Sequence, residues 1–399
     1  MNILFLGLPT IQSFSDQGIY TDLLREITKR GHNVFCVTSV ERRFKTKTTH
    51  IKENAYSHIL VVKTLNIQKT NLFEKGLGTV LITSQYKRAI KKFFKNIHFD
   101  LILYSTPPIT LYGVVNYFKK RCNSKTYLML KDIFPQNAVD IGLLSKKGVK
   151  GLIFKRFRNQ ERKLYAISDK IGCMSPANIE YILRHNSEIS KNKVEVFPNC
   201  IETKDVSFTD NEKKQIRIKY GIPLDKKVFV YGGNLGRPQG VSFIIECLKT
   251  QTNNDNAFFL VVGDGTQYEK LEKYSVESNQ PNFRLLKRLP AAEFDKVVAS
   301  CDVGLIFLDY RFTIPNFPSR LLSYLQNYLP VLACTDPVSD VGKTAEKYGF
   351  GWACESNNPR VFSELVERIL QEDTSKMGKR GHQFLKEQFD VSAVVHKIL

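Results

Sequence analysis

Short apolar runs with strand character recur along the whole chain, separated by stretches with helical periodicity, and this alternation restricts the fold more than any other feature. In the first half the strand-like runs are Ile3–Leu8, Asn33–Thr38, His58–Thr64, Asp100–Ser105, Thr126–Leu130, Lys170–Met174 and Val194–Phe197. Between them lie helical patterns such as Tyr20–Lys29, and Tyr86–Ile97 with apolar residues at 86, 90, 93, 94 and 97. The second half repeats the plan at Lys227–Tyr231, Ala257–Val262, Phe283–Leu286, Val303–Leu308, Val331–Cys334 and Gly351–Cys354. Strands that alternate with helices predict mainly parallel sheets covered by helices, an α/β class. At 399 residues the chain exceeds one typical core and suits two Rossmann-like domains. Residues 200–226 lack strand periodicity, so the junction is expected there, between a first domain over 1–199 and a second over 227–375. The tail, 376–399, adds no strand and reads as a helical stretch available to pack back across the junction.

Ligands of open α/β sheets bind beyond the carboxyl ends of the strands, and the second half has conspicuous loops at those ends. Tyr231-Gly-Gly-Asn-Leu-Gly-Arg-Pro-Gln-Gly240 joins a strand to a helix beginning at Val241. Its glycines allow the backbone to approach a ligand closely. The helix N-terminus behind it carries free N–H groups and partial positive charge, which makes a phosphate the expected guest. A second strand ends in Val261-Val-Gly-Asp-Gly265, and Pro315-Asn-Phe-Pro-Ser-Arg320 opens a further helix. Three such loops at successive strand ends describe a nucleotide cleft. Two sheets facing each other would place that cleft between the domains, with the strand ends of the first domain as the other wall.

Composition narrows the class. The opening run Met1-Asn-Ile-Leu-Phe-Leu-Gly-Leu-Pro lacks a basic leader and reads as a buried strand rather than a signal peptide. No stretch approaches the ~18 uninterrupted apolar residues of a membrane span. The eight cysteines are scattered singly without C-x-x-C spacing, which favours buried free thiols in a reducing cytoplasm over a zinc or disulfide framework. The formal net charge of +20 is lopsided. Residues 1–199 hold 33 Lys and Arg against 14 Asp and Glu, whereas residues 200–399 hold 26 against 25. A polyanionic surface is therefore expected as partner of the first half only. The basic residues concentrate in Lys146–Lys163, interleaved with Val149, Leu152, Ile153, Phe154 and Phe157. That pattern suits an anionic membrane surface, with Phe154 or Phe157 inserted. Nucleic acid is not expected, because no base-reading motif accompanies the charge.

The ordered set Gly232-Gly-Asn-Leu-Gly-Arg-Pro-Gln-Gly240, Val261-Val-Gly-Asp-Gly265, Asn316-Phe-Pro-Ser-Arg-Leu-Leu-Ser-Tyr-Leu325 and Leu329-Pro-Val-Leu-Ala333 resembles the donor-binding domain of GT-B glycosyltransferases. It is most similar to the retaining glycosyltransferase family 4. The first half resembles the same family at Ser168-Asp-Lys-Ile-Gly-Cys-Met-Ser175 and Val194-Glu-Val-Phe-Pro-Asn199. Tyr104-Ser-Thr-Pro-Pro108 and Leu130-Lys-Asp-Ile-Phe-Pro135 are like the subgroup that adds amino sugars to lipid-linked precursors of bacterial capsule or O-antigen. The resemblance implies two Rossmann-like domains facing an interdomain cleft. It also implies a sugar, an N-acetylated hexosamine or deoxy derivative, moved from a UDP-sugar to a polyprenyl-diphosphate-linked acceptor with retention of configuration.

The site residues that the resemblance implies depart from the family pattern in places. A nucleoside diphosphate leaves as the glycosidic bond breaks, so its charge must be stabilised. The family's two basic positions on the glycine loop are here Asn234 and Gln239, both neutral. Arg237 and Arg320 are the expected replacements. Of the family's paired glutamates, the later position reads Ser323, which can still bond a ribose hydroxyl, and the earlier falls at Pro315 or Asn316. Gly233, Asn234, Gly263, Asn316, Ser319 and Ser323 complete the expected donor site, and Gly18 approaches the donor phosphate from the first domain. Asp132 is expected to orient or deprotonate the acceptor, with helix capping as the competing role, and Asp264 to form a turn. No acidic pair stands at a suitable strand end, so a reaction without metal or cofactor is expected, at the cytoplasmic face of the plasma membrane. A sugar-nucleotide 2-epimerase of the same fold and a non-catalytic partner subunit, suggested by Ser323, Asn234 and Gln239, remain alternatives.

Overall fold

The structure is a computed structural model that describes residues 1–66, 72–205 and 207–399, and only the backbone within 72–80. The chain divides into two compact units, Met1–Glu202 with Val391–Leu399, and Thr203–Asp390.

The first unit carries β1 (Asn2–Leu6), β2 (Asn33–Glu41), β3 (Thr49–Lys52), β4 (Ser57–Thr64), β5 (Leu101–Ser105), β6 (Lys125–Leu130), β7 (Lys170–Cys173) and β8 (Val194–Val196). They form one sheet in the order β3-β4-β2-β1-β5-β6-β7-β8. Every pairing is parallel except β3 with β4. The central strands are buried on both faces, which is why they read as continuous apolar runs rather than alternating ones. Helices supply the covering layers through stripes at helical spacing, as in Ile19–Lys29, where Leu23, Leu24 and Ile27 are buried. The edge strand β3 was not expected, because its Thr-His-Ile-Lys is half exposed and carries no burial pattern.

The second unit carries β9 (Lys227–Asn234), β10 (Ala257–Asp264), β11 (Phe283–Lys287), β12 (Val303–Phe307), β13 (Val331–Thr335) and β14 (Gly351–Glu355). All pair in parallel in the order β11-β10-β9-β12-β13-β14. This is the doubly wound arrangement in which successive crossovers run outward from β9 in one direction and from β12 in the other. The expected junction, 200–226, differs from what is found. It contains the helix Asp210–Tyr220, held by a Thr209–Glu212 capping box and closed by Gly221 in the left-handed region, and that helix belongs to the second unit. The tail divides as well. The helix Thr374–Gln388 lies in the second unit, whereas Val391, Val394, Val395 and Ile398 join the core of the first.

Candidate functional site

In the second unit the chain reverses direction between β9 and β12, and the crevice beyond their carboxyl ends is where a ligand is expected. The glycine-rich loop stands there. β9 runs straight into it, so that Gly232, Gly233 and Asn234 pair in register with Val262, Gly263 and Asp264 of β10. The two strand ends lie too close for side chains: a Cβ on Gly263 would stand 2.1 Å from the Gly233 carbonyl oxygen. Gly233 is exposed and has φ of +120°, a conformation that L side chains rarely adopt. Its bare backbone is thus open at the strand tip. Asp264, expected to form a turn, is instead the last residue of β10, its carboxylate accepting from Gly265 N at 2.8 Å.

Arg320, the first residue of the helix Arg320–Gln326, reaches this glycine. Its guanidinium carbon lies 4.2 Å from the centre of the Tyr231 ring and 3.8 Å from the Cβ position of Gly233. Its Nη1 is buried and has no hydrogen-bond partner among the described residues. A buried cationic donor left open beside a bare glycine backbone is an expensive arrangement without an anion. Tyr324, one helical turn further on, fixes the geometry from below. Its hydroxyl accepts from Gly232 N at 3.0 Å and donates to Leu305 O at 3.1 Å, tying the helix to β9 and β12.

The remaining expected donor residues are only partly drawn together. The Asn234 side chain donates to Gln239 Oε1 at 3.0 Å, and Gly236 N donates to the same oxygen at 3.1 Å. These two neutral replacements of the family's bases therefore brace the loop against itself. Arg237 is exposed, and its guanidinium makes no hydrogen bond or ion pair among the described residues. Asn316 N donates to Ser339 Oγ at 2.8 Å, and Ser339 Oγ in turn donates to Asp336 at 2.8 Å. Burial pushes the Asp336 carboxyl up to about 6 despite the donors around it. Ser319 is exposed and makes no side-chain cap. Ser323 faces Asp295, whose carboxyl is raised by burial. Asp309, after β12, braces the loop from the other side, its N–H donating to Pro238 O at 2.9 Å. Tyr231, Tyr324, Asp295, Asp309 and Asp336 were not anticipated. Only Tyr324 had a legible signal, its one-turn spacing from Arg320.

In the first unit the corresponding reversal lies between β1 and β5. Gly18 is the N-cap of Ile19–Lys29, and its N–H and carbonyl are engaged by Asp22 and Thr21 within that first turn. Tyr20 donates to Ser105 at the end of β5. Thr106 donates to the Asp132 carbonyl oxygen at 3.3 Å, which links β5 to the loop after β6. The Asp132 carboxylate accepts from the Asn137 side chain at 2.7 Å and does not cap the short helix Gln136–Asp140. Burial pushes its carboxyl up to about 6. The adjacent Lys131, also unanticipated, donates to Pro198 O at 3.2 Å, and burial lowers its ammonium to about 8.

The basic segment forms the helix Gly148–Ile167, and its apolar residues are sorted differently from the expectation. Phe154 and Phe157 are half-buried, Phe157 packing against Phe134 at 5.0 Å. The exposed apolar side chains are instead Leu143, Val149, Leu152 and Ile153, at 51, 77, 68 and 44%. Arg158 is committed to buried Glu161, to His185 O and to Asn186. Lys146, Lys147, Lys150, Lys155 and Arg156 remain exposed around the apolar stripe. Among the described residues no helix is long and apolar enough to cross a membrane, and no group of His, Cys, Asp and Glu could hold a metal ion. The eight cysteines are free thiols.

Two parallel-sheet Rossmann-like units, with a glycine loop and an arginine at the switch point of the second, define a GT-B glycosyltransferase scaffold. Residues 212–384 match the model of the family Glycosyl transferases group 1. It is 24% identical over 327 residues to a probable glycosyltransferase, WbjE, of Pseudomonas aeruginosa, covering 80% of this chain and 75% of that one. It is 22% identical over 299 residues to WcaI of Escherichia coli, a putative colanic acid biosynthesis glycosyl transferase, covering 74% and 70%. Among solved structures, HepE of Anabaena in complex with UDP and glucose superposes with a TM-score of 0.73 at 14% identity, covering 100% of this chain and 98% of that one.

Proposed function

We propose that the protein is a retaining, metal-independent hexosyltransferase of bacterial polysaccharide synthesis. It moves a sugar, an N-acetylated hexosamine or deoxy derivative, from a UDP-sugar to a polyprenyl-diphosphate-linked acceptor. The observation that carries the donor half is Arg320, whose unpartnered guanidinium nitrogen lies against Gly233 at the switch point. There the arginine and the exposed Gly233 backbone would hold the diphosphate, and Arg237 would close over it from the loop. As the glycosidic bond breaks, negative charge grows on the phosphate that leaves, and a fixed cation favours that change. HepE was solved with UDP, and WbjE and WcaI are named as glycosyltransferases, which supports the choice of donor and of pathway. Asp132 is assigned to the acceptor: a carboxyl titrating near neutrality can take a hydroxyl proton and release it again.

The acceptor is a lipid, and the helix Gly148–Ile167 gives the first unit a surface for an anionic leaflet. Val149, Leu152, Ile153 and Arg156 follow the i, i+3, i+4, i+7 spacing of one helical face. Each Lys or Arg near such a surface contributes on the order of 1 kcal/mol, screened by salt. The enzyme would then sit at the cytoplasmic face of the plasma membrane without a span.

A thermal-shift screen of UDP-, GDP- and dTDP-sugars, followed by transfer from the stabilising donor to polyprenyl-diphosphate sugars, tests the reading. Stabilisation by UDP-sugars and a new lipid-linked product support it. Conversion of the UDP-sugar itself, with no acceptor present, would establish the epimerase instead. Sedimentation with phosphatidylglycerol vesicles should be lost on replacing Val149, Leu152 and Ile153 with Ser. Equal sedimentation of that variant would remove the stripe from the membrane contact.

A further inference from the structure

A second basic site lies in the first unit, apart from the strand-end loops and from the apolar stripe of the helix Gly148–Ile167. A cavity of about 430 Å³ opens between the helices Leu72–Phe93 and Tyr112–Cys122 and is lined by Lys87, Gly113, Asn116, Tyr117, Lys120 and Arg121. Its size falls in the range that takes small ligands. Among the described residues the lining holds three cations and no carboxylate. Lys87 Nζ stands 3.8 Å from the centre of the Tyr117 ring, and Lys91 Nζ, a fourth cation, 5.6 Å from it. Among the described residues none of Lys87, Lys91, Lys120 and Arg121 forms an ion pair. The neighbouring Lys119 shows the contrast: it is neutralised by Asp169 at 2.7 Å. Lys87 and Lys91 at the Tyr117 ring, with Lys120 and Arg121 of the same cavity wall, are like charges close together, and a bound anion would relieve their mutual repulsion.

The cavity is also built rather than casual. At Gly113 the two helices touch, since a Cβ there would stand 2.6 Å from Thr83 Cγ2. Thr83 Oγ1 donates to Thr110 O, and the Arg121 guanidinium donates to Lys95 O, so both walls are fixed to the backbone of their neighbours. Asn116 and the Tyr117 hydroxyl add neutral donors to the lining. The face of Tyr117 is covered by Lys87, so the ring offers no platform for a stacked base. Charge without stacking suits a compact phosphate rather than a nucleic acid.

We propose that this cavity binds a phosphate group, presented either by an anionic lipid headgroup or by a soluble phosphorylated molecule. The assignment does not depend on the donor site of the second unit. Binding of inorganic phosphate and of glycerol phosphate is measured by calorimetry in an Arg320→Ala background, so that anions held at the second unit are not counted. The same proteins are sedimented with vesicles of phosphatidylglycerol and of phosphatidylcholine. Replacing Lys87, Lys91 and Lys120 together with Gln leaves Arg121 and its backbone bond in place, and a second variant adds Arg121→Gln. Affinity for the soluble phosphates should fall about tenfold or more in both variants, or sedimentation with phosphatidylglycerol should fall while the Gly148–Ile167 stripe is intact. The first outcome assigns a soluble ligand and the second a headgroup. Parental binding of both probes by the folded variants, or no binding of either probe by the parent, overturns the site.

Discussion

Replacing Arg320 with Met separates a ligand-binding arginine from a structural one, because the two roles predict opposite signs. Met keeps an unbranched apolar stem over Tyr231 and removes the guanidinium. In the free protein that guanidinium gains a cation–π contact at 4.2 Å, about 0.5–2 kcal/mol. It also carries a buried nitrogen without a partner, which costs about 1–3 kcal/mol. The two terms oppose each other, so the stability of the free Arg320→Met protein should stay within about 1 kcal/mol of the parent. For a domain of this size that is a change of roughly 2–4 °C in Tm. With UDP bound the balance changes: the nitrogen gains a phosphate oxygen, and hydrogen bonds to charged groups contribute about 1.5–3 kcal/mol. UDP affinity should therefore fall by roughly tenfold to a hundredfold. Calorimetric titration with UDP, beside a thermal melt of the free protein, reads both quantities. A large loss of Tm with unchanged UDP affinity would refute the reasoning and make Arg320 a structural clamp of β9.

Asp132→Asn should lower kcat strongly and leave donor KM nearly unchanged, and the parental rate should rise as pH passes about 6; a pH-independent variant at the parental rate would sink the assignment. The same substitution has a stability signature. Because burial raises this carboxyl, the folded state binds its proton more tightly than the unfolded state, so stability is lost as pH rises from about 4 to about 6. The Asn variant should therefore melt at or above the parental temperature at pH 7.5. Gly263→Ala should destabilise the second unit by about 1–3 kcal/mol, since its Cβ would overlap the Gly233 carbonyl at 2.1 Å, and urea denaturation measures this. In the first unit, His50 Nε2 and His58 Nδ1 lie 3.3 Å apart on β3 and β4, and burial lowers both rings. The unfolded chain takes up those protons first, so Tm should fall as pH drops below about 6.5, and His50→Gln should flatten that fall.

How much of this molecule could be read from its residues depends on how local the determining contacts are. The strand cores declared themselves because parallel strands buried on both faces must be apolar throughout, as in Leu101–Ser105 and Val303–Phe307. The helix Asp210–Tyr220 had a local signature too, Thr209 three residues before Glu212 and Gly221 at its end, which the search for strand periodicity passed over. By contrast, β3 exists only through its partner β4, and nothing within Thr-His-Ile-Lys announces it. The candidate site divides along the same line. Gly233 and Gly240 were legible because each answers a demand of the backbone at its own position, a positive φ, whereas Gly263 is required by the Gly233 carbonyl on the neighbouring strand. The setting of Arg320 was not, because it depends on Tyr231 from β9 and on Tyr324, whose hydroxyl spans the 92 residues back to Gly232.

The departures from the family pattern acquire a physical meaning on the same grounds. Where the family places bases, Asn234 and Gln239 bond each other and hold Gly236 N, so the loop is stiffened without charge. A loop fixed in this way leaves Gly233 exposed at φ +120°, with half-buried Arg320 beside it and exposed Arg237 on the loop itself. Half-buried Arg320 is held over Tyr231 before any ligand arrives, and on the proposed reading a cation fixed in this way responds to the charge that grows during bond cleavage. Exposed Arg237 has no such constraint and can follow the ligand. Loss of Arg320 should therefore be felt in kcat as well as in affinity, and loss of Arg237 mainly in donor KM. The ratio of the two effects in steady-state kinetics decides whether this division of labour holds: equal losses in both parameters for both variants would mean that the two arginines act as one unit.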